Sequence, residues 1–277
     1  EEANIQTKGD IWFVGTVGEE GNGDIRGSKH IVKNDPIDGF IAVDNTDVTR
    51  ILFGGTGSHR WRVTINGLGG HSWADYGKIP SAIHAMARAI AKFVDLRPAA
   101  DPKTSWTVGT IKGGTSVNSI AGSCSVDIDM RSTENESLEA IEAQILSKFE
   151  EAVAEENASW AVKDDSYLLT VTKEMIGNRP AGTRPDDCPV LQASRSAQKL
   201  LGIEMSSYVR SSTDANAPMG AGIPSTCLGT GGRGVHTHNL KEYFEMVDTH
   251  LGPQLIMLTS LVLVGLEDEA PLLPKRA

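Results

Sequence analysis

The sequence predicts an α/β fold into which a second domain of ferredoxin-like topology is inserted. Residues 1–57 contain short runs of bulky apolar residues that end in glycines and carboxylates, a pattern typical of strands buried on both faces of a parallel sheet. Residues 58–172 instead alternate apolar and polar residues and include two amphipathic helices. The α/β pattern resumes over residues 173–277. We therefore expect one α/β domain, 1–57 with 173–277, interrupted by a domain over 58–172.

The composition is that of an ordinary globular protein. The 277 residues include 39% hydrophobic and 22% charged side chains, with a formal net charge of −10. Because no basic stripe is present, the charge argues against a nucleic-acid partner. No apolar run reaches the roughly 18 residues of a membrane-spanning helix, so no membrane partner is expected. Three widely spaced cysteines favour reduced, buried thiols in a cytoplasmic protein.

The first α/β segment begins with a predicted strand over Ile11–Val14, where four bulky apolar residues follow one another without alternation. A helix is expected over Ile25–Val32, and further strands over Gly39–Asp44 and Val48–Phe53. The glycines of Gly54–Gly57 predict a hinge between the domains.

The inserted domain has six predicted elements, and their order is strand, helix, strand, strand, helix, strand. They are Arg60–Asn66, Pro80–Leu96, Thr104–Ile111, Ser123–Arg131, Leu138–Val153 and a short strand at Trp160 and Val162. This order predicts a ferredoxin-like (βαββαβ) domain, one antiparallel sheet covered on one face by two helices.

After the insertion, the pattern predicts a helix, a polar loop, a strand, a glycine-rich loop and an apolar helix. These are Val190–Leu200, Ser211–Asn216, Ile223–Leu228, Gly229–Gly234 and Tyr243–Leu266, the last either kinked or divided into two pieces at Gly252-Pro253.

Several metal-ligating side chains follow predicted strands of the α/β domain. Glu19 and Glu20 come after the first strand, Asp44 ends the next one along the chain, and His236 and His238 follow the glycine-rich loop. Ligands of α/β sheets bind beyond the carboxyl ends of the strands. A histidine with carboxylates is a common catalytic zinc set, and a further glutamate could accept a proton from metal-activated water. The alternative is an acidic surface turn beside ordinary loop histidines.

Two glycine-flanked polar segments and one arginine of the inserted domain are further candidates. Gly69–Ser72 and Gly113–Asn118 are either turns or parts of a lid that reaches into a cleft. Arg131 could hold a carboxylate in a bidentate fork or form a surface salt bridge with Asp127 or Asp129.

Four motifs together resemble the dinuclear-zinc metallopeptidase family of carboxypeptidase G, peptidase T, aminoacylase, succinyl-diaminopimelate desuccinylase and hydantoinase-like amidohydrolases. The motifs are Val17–Gly21, Gly67–Ser72, Gly113–Ile120, and Ser211–Asn216 with the later histidine region. The resemblance covers essentially the whole chain. It implies a catalytic domain of zinc-exopeptidase type, a mixed sheet with helices, interrupted by a lid and dimerisation domain.

By this resemblance, Glu19 is the general base and Glu20 and Asp44 are zinc ligands. The family's last ligand is a histidine followed four residues later by glutamate. His238 with Glu242 fits that spacing and is our choice, whereas His236 is followed at that distance by leucine and is kept as the rival.

The resemblance also assigns roles in the inserted domain. His71 would polarise the scissile carbonyl of a substrate in the partner's site, and Asn118 and Arg131 would hold the substrate's carbonyl and carboxylate. The family implies a homodimer through this domain, a small peptide or N-acyl amino acid as substrate, and two zinc ions, with other divalent metals possible.

The chain departs from the family in its ligand set. The family supplies further ligands upstream, beginning with a histidine two residues before an aspartate, and none of the seven histidines has that neighbour. The chain also begins at Glu1 without an initiator methionine. We therefore expect an upstream segment to be missing, and little or no activity from these residues alone.

Two functions follow as hypotheses. The first is a zinc-dependent hydrolase that cleaves a peptide or N-acyl amide bond through metal-activated water, with Glu19 as general base. The second is a non-catalytic binding or dimerisation protein of the same fold, with an incomplete metal site.

Overall fold

The computed structural model describes residues 4–98, 100–160, 162 and 164–275. The chain forms two compact units, one made of Glu1–Thr56 with Arg179–Ala277 and the other of Gly57–Asn178. The inserted unit extends beyond the expected 58–172 because its last strand lies further along the chain than the sequence pattern predicts.

Helices and strands alternate through both units. The α-helices in the described residues are α1 (Arg26–Asn34), α2 (Ala82–Phe93), α3 (Asn135–Ala158), α4 (Pro189–Leu200), α5 (Asn216–Gly220) and α6 (Leu251–Val264). The strands are β1 (Phe40–Val43), β2 (Arg50–Gly55), β3 (Gly57–Asn66), β4 (Gly70–His71), β5 (Thr104–Gly113), β6 (Ser119–Ile120), β7 (Ser123–Ser132), β8 (Thr170–Arg179), β9 (Gly182–Thr183), β10 (Ser207–Ser211), β11 (Ser225–Leu228), β12 (Arg233–Val235) and β13 (Tyr243–Glu245).

Parallel strand pairs organise the first unit. β1 pairs with β11 and β10 with β2, both in parallel, while β9 is antiparallel to β2. The buried hydroxyl of Thr226 donates a hydrogen bond to the carbonyl oxygen of Leu52 at 2.7 Å, which joins β11 to β2. Leu191 and Leu255, from α4 and α6, are fully buried in the core that covers these strands. The strands and helix predicted around these positions are confirmed, with shifts of a few residues.

The second unit has the predicted ferredoxin-like element order, and its four-stranded sheet has the strand order β5-β7-β3-β8. The side chains of β7 alternate as expected, with Val126 and Ile128 buried and Asp127 and Asp129 on the other face. α2 and α3 cover the apolar face, where Phe93 is fully buried. Burying such a side chain contributes about 1.5–3 kcal/mol, so the packing on this face stabilises the unit.

The predicted strand at Ile11–Val14 is wrong. Within the described residues this segment pairs with no strand, and Trp12, Phe13 and Val14 are 58%, 91% and 54% exposed. An apolar run favours a strand only where a neighbouring strand completes the hydrogen-bond ladder and covers the side chains.

The last strand of the inserted domain was also misplaced. Trp160 and Val162 lie outside the strands, and β8 fills the sixth position of the fold. Trp160 instead packs beside α3, where its indole N–H donates to Glu156 at 2.9 Å. Ala161 and Lys163 lie outside the described residues.

The apolar segment Tyr243–Leu266 is not one kinked helix. Its first residues form β13, antiparallel to β12, and α6 begins at Leu251. Gly252 and Pro253 therefore lie in the first turn of α6, where the missing amide hydrogen of proline is tolerated.

Two remaining sequence expectations concern compartment and membrane. Cys124, Cys188 and Cys227 are free and buried. Among the described residues, no helix combines the length and apolarity needed to cross a bilayer.

A buried carboxylate joins the two helices of the inserted unit. Glu156, on α3, is 1% exposed and accepts hydrogen bonds from Arg88 Nε at 2.8 Å, Trp160 Nε1 at 2.9 Å and the amide of Ser81 at 3.3 Å. Burial by itself raises the pKa of this carboxyl. The three hydrogen-bond donors together lower the pKa by more than burial raises it, so the pKa lies below its usual value. Ser81 is the N-cap of α2, so the negative charge also faces the positive end of that helix.

We predict that Glu156→Gln lowers the free energy of unfolding by about 1–3 kcal/mol, because the amide group leaves one buried donor unpaired. Urea unfolding of the chain measures the change.

The matched control is Glu155→Gln. Glu155 is next in sequence, half-exposed, and paired with Lys92 at 2.6 Å. Its loss should change stability by less than about 1 kcal/mol, as for other surface pairs. Equal effects of the two substitutions would contradict the structural role of Glu156.

Candidate metal and catalytic site

The glycine loop, residues 15–24, bends back on itself and carries both candidate glutamates. Gly18 has a φ of +68°, in the left-handed region that favours glycine. The amide of Gly23 donates to the carbonyl oxygen of Glu20 at 2.9 Å. A Cβ atom at Gly23 would lie 2.5 Å from the backbone of Gly18, so this close approach requires glycine.

Glu19 is partly buried and is held by Arg179. Nη1 of Arg179 donates to Oε1 of Glu19 at 3.0 Å and to Oγ of Ser212 at 3.1 Å, while Nη2 donates to the carbonyl oxygen of Glu19. Burial raises the pKa of Glu19, Arg179 lowers it, and the charges of Glu20 and Asp44 raise it, with a net upward shift. A carboxylate whose pKa is raised toward neutrality is suited to general-base chemistry.

Glu20 lies beside His238. Nε2 of His238 is 3.9 Å from Oε1 of Glu20, and both side chains are exposed. The backbone amide of His238 donates a hydrogen bond to Oε2 of Glu242 at 3.1 Å, so the four-residue spacing places the Glu242 carboxylate next to the backbone of His238. The ring of His236 instead packs edge-on against Tyr243, with centroids 6.3 Å apart. The structure thus brings the preferred histidine to the glutamate pair.

Asp44 directly follows β1. Its amide donates to the carbonyl oxygen of Leu228 at 3.2 Å, which continues the pairing of β1 with β11 past Val43. The amide of Asn45 donates to Oδ1 of Asp44 at 2.6 Å. The charge of Asp44 raises the pKa of Glu19, so the two carboxylates are near enough to interact electrostatically.

The donor types at this edge fit zinc, because carboxylate oxygens and imidazole nitrogens are among its usual ligands. The separation of Glu20 and His238 is close to that of two ligands on one ion. Among the described residues, however, no three histidine, cysteine, aspartate or glutamate side chains converge into a ligand group. By themselves, the described residues do not form a complete metal-ligand group.

One candidate of the inserted unit is His71. His71 ends β4 and pairs with Ser119 of β6. Nδ1 of His71 accepts hydrogen bonds from the amides of Trp73 at 3.1 Å and Ala74 at 3.3 Å. In the neutral ring, this leaves Nε2 to carry the proton and donate.

The other two candidates have their own partners. The carbonyl oxygen of Asn118 accepts from the amide of Ser72 at 3.0 Å, and its side-chain Oδ1 accepts from the hydroxyl of Ser116 at 2.5 Å. Nε of Arg131 donates to Oδ2 of Asp129 at 2.6 Å, one of the two surface partners considered from the sequence.

The chain is similar to known proteins in both sequence and fold. The family model of the peptidase dimerisation domain matches residues 53–157. The chain is 26% identical over 275 residues to the uncharacterized protein YqjE of Bacillus subtilis strain 168, covering 98% of this chain and 67% of that protein. It resembles the structure of aminopeptidase PepT from Bacillus cereus with a TM-score of 0.69 and 24% identity, covering 93% of this chain and 65% of that one.

A further solved structure, the YxeP protein of Bacillus subtilis, is described as a dinuclear metal binding peptidase from the M20 family. The similarity to this structure has a TM-score of 0.59 and 14% sequence identity, and it covers 87% of this chain and 62% of YxeP. The chain has the inserted domain and the fold of the M20 metallopeptidase family. It spans 62–67% of the length of these three relatives.

The sequence analysis missed two buried residues of this candidate site. Arg179 is 4% exposed, and Asp214 is 9% exposed and accepts from the hydroxyl of Thr16 at 2.6 Å. Oδ1 of Asp214 has no hydrogen-bond partner within the part of the chain that the structure describes. Asp214 lay in the polar loop that the resemblance singled out, whereas no sequence signal marked Arg179.

We predict that Gly23→Ala lowers the free energy of unfolding by about 1–3 kcal/mol, because the new methyl group must displace the backbone of Gly18. Thermal or urea unfolding measures the change.

Gly15→Ala in the same loop is the control. A Cβ atom there meets nothing within 4 Å, and the residue has no left-handed φ. Its effect should stay within about 0.5 kcal/mol. If both variants were equally stable, the close approach of Gly18 and Gly23 would be refuted.

Proposed function

We propose that the protein is a zinc-dependent hydrolase that cleaves a peptide or N-acyl amide bond, of exopeptidase or aminoacylase type. The observation that carries the proposal is the placement of Glu19, partly buried and held by Arg179, next to the pair formed by Glu20 and His238. The peptidase dimerisation domain and the peptidase neighbours support the same reaction class.

In this proposal Glu20, Asp44 and His238 hold zinc, with two ions in the full-length protein. Zinc, when bound, supplies Lewis acidity that lowers the pKa of water to near 7 and polarises the substrate carbonyl.

Glu19 is the general base. It accepts a proton from the attacking water and passes the proton to the leaving nitrogen. Nη1 of Arg179 donates a hydrogen bond to Oε1 of Glu19. We therefore assign the proton exchange to Oε2.

Residues of the inserted unit act on the substrate. His71, whose Nδ1 already accepts hydrogen bonds from two amides, donates from Nε2 to the carbonyl oxygen of a substrate in the partner's site, and the Asn118 side-chain amide is a second donor to the developing oxyanion. Arg131 binds a substrate carboxylate, in exchange for part of its pairing with Asp129. The substrate class is a small peptide or N-acyl amino acid. Three free, buried cysteines support a cytoplasmic location.

The alternative is a non-catalytic protein of the same fold that binds a peptide or forms a dimer. It is favoured by one observation, that no three ligands converge in the described residues. Metal analysis of the full-length protein separates the two functions. Zinc near two per chain supports the enzyme, and no zinc after supplementation supports the alternative.

We predict that Glu19→Gln in the full-length protein reduces kcat by at least about 10²-fold, because it removes the proton acceptor, and leaves the zinc content unchanged. Steady-state hydrolysis of a panel of dipeptides and N-acyl amino acids, with metal analysis of the same samples, tests this.

Glu245→Gln is the control, because Glu245 is a glutamate of the same unit that pairs with Arg233 at the β12–β13 hairpin. It should retain full activity. Retained activity in Glu19→Gln would remove Glu19 from the mechanism.

We also propose a homodimer formed through the inserted unit, where β5 and β8 are the edges of the sheet. Light scattering of the purified protein should give twice the mass of one chain. A monomeric mass over the micromolar range would count against the dimer.

A further inference from the structure

Arg179 is a buried charge at the end of a strand. It is the last residue of β8 and is only 4% exposed. A buried guanidinium is costly unless it is paired and hydrogen-bonded, so its partners show what it is for.

Most of those partners belong to the glycine loop. The guanidinium bonds the side chain of Glu19 through Nη1 and its main-chain carbonyl oxygen through Nη2. Nε lies 3.9 Å from Oδ1 of Asp24, at the far end of the same loop. Nη1 also reaches Ser212. One planar group therefore contacts the loop at its carboxylate, at its backbone and at its end.

The glycine loop needs such a support, because it contains little regular structure. Residues 15–20 belong to no helix or strand, and four glycines make the backbone permissive. Asp214 holds the loop before the glutamates, through Thr16, but it does not reach Glu19 itself. The orientation of the Glu19 carboxylate depends on Arg179.

We propose that Arg179 is a positioning residue that holds the Glu19 carboxylate in its reactive orientation by bonding the side chain and the backbone of that residue at once. The inference rests on the proposed function, because Glu19 is the general base there.

The geometry explains why arginine stands at this position. The fork of the guanidinium presents separate N–H groups to two oxygens of Glu19, whereas a lysine ammonium is a point charge on a flexible stem. Losing the fork leaves Glu19 in place but free to rotate. A shift of about 1 Å in a catalytic group can cost on the order of 10²-fold in rate.

The test compares Arg179→Lys and Arg179→Gln with the same substitutions at Arg184. Arg184 is a matched control, because it belongs to the same unit, is partly buried and donates to the carbonyl oxygen of Met219 at 2.6 Å. In the full-length protein, Arg179→Lys should lower kcat about 10²-fold, with KM and zinc content within about twofold of the parent. Arg184→Lys should change neither kcat nor KM by more than about twofold.

A second measurement needs no turnover. A double-mutant cycle of Arg179→Gln and Glu19→Gln in urea unfolding should give a coupling of about tenfold in the unfolding equilibrium. The cycle of Arg184→Gln with Glu19→Gln should give none.

The outcomes separate the two proposals. If Glu19→Gln is inactive but Arg179→Lys behaves like Arg184→Lys, the positioning role is overturned and the proposed function stands. If the Arg179–Glu19 cycle shows no coupling, the positioning role is overturned whatever the activity. If Glu19→Gln keeps full turnover, the proposed function fails and the catalytic meaning of Arg179 fails with it, even where the coupling is found.

Discussion

A single buried amide ties together the two points where the chain leaves and re-enters the first unit. Nδ2 of Asn216 donates to the carbonyl oxygens of Thr56 and Pro180, each at 2.9 Å, and its Oδ1 accepts from the amide of Thr213 at 2.9 Å. Asn216 is fully buried, so each of these groups would be costly to leave unpaired. Since Arg179 directly precedes Pro180, the same amide also helps to fix the backbone position from which the Arg179 side chain extends. The backbone beside Arg179 is thus held independently of the glycine loop. This support preorganises the guanidinium for its contacts with Glu19.

The fold could be predicted where the side chains carry a local period. β7 alternates strictly, and α3 has a continuous apolar face, so the sheet and its covering helices follow from the sequence. The strand at Ile11–Val14 could not be judged in this way, because an apolar run becomes a strand only through pairing with a distant segment. β8 was missed for the opposite reason. Its sequence mixes lysine, glutamate and glycine, and its position is set by pairing with β3.

The site divides along the same line. Glu19 and Glu20 are candidates because of their motif, since the strand expected before them does not form, and Asp44 is a candidate because it follows β1. His238 is a candidate because of its spacing to Glu242. The roles of these residues stay predictions. Arg179 could not be predicted, because its partner Glu19 lies 160 residues away and an arginine before a proline has no local signature. Local spacing identifies groups that act on a ligand. It does not identify the groups that hold them, since these act across the fold.

The carboxylates at this edge repel one another, and that repulsion bears on what the edge can bind. Glu20 and Asp44 both raise the pKa of Glu19, which means that their charges disfavour its ionised form. Arg179 offsets the repulsion with one positive charge on the buried side of Glu19. A divalent cation held by Glu20 and His238 would offset it on the exposed side. In the unfolded chain these groups lie apart, so the cation would bind the folded chain more tightly and would stabilise it by linkage. Under the proposed function, the repulsion among these carboxylates therefore favours the binding of a metal ion beside them.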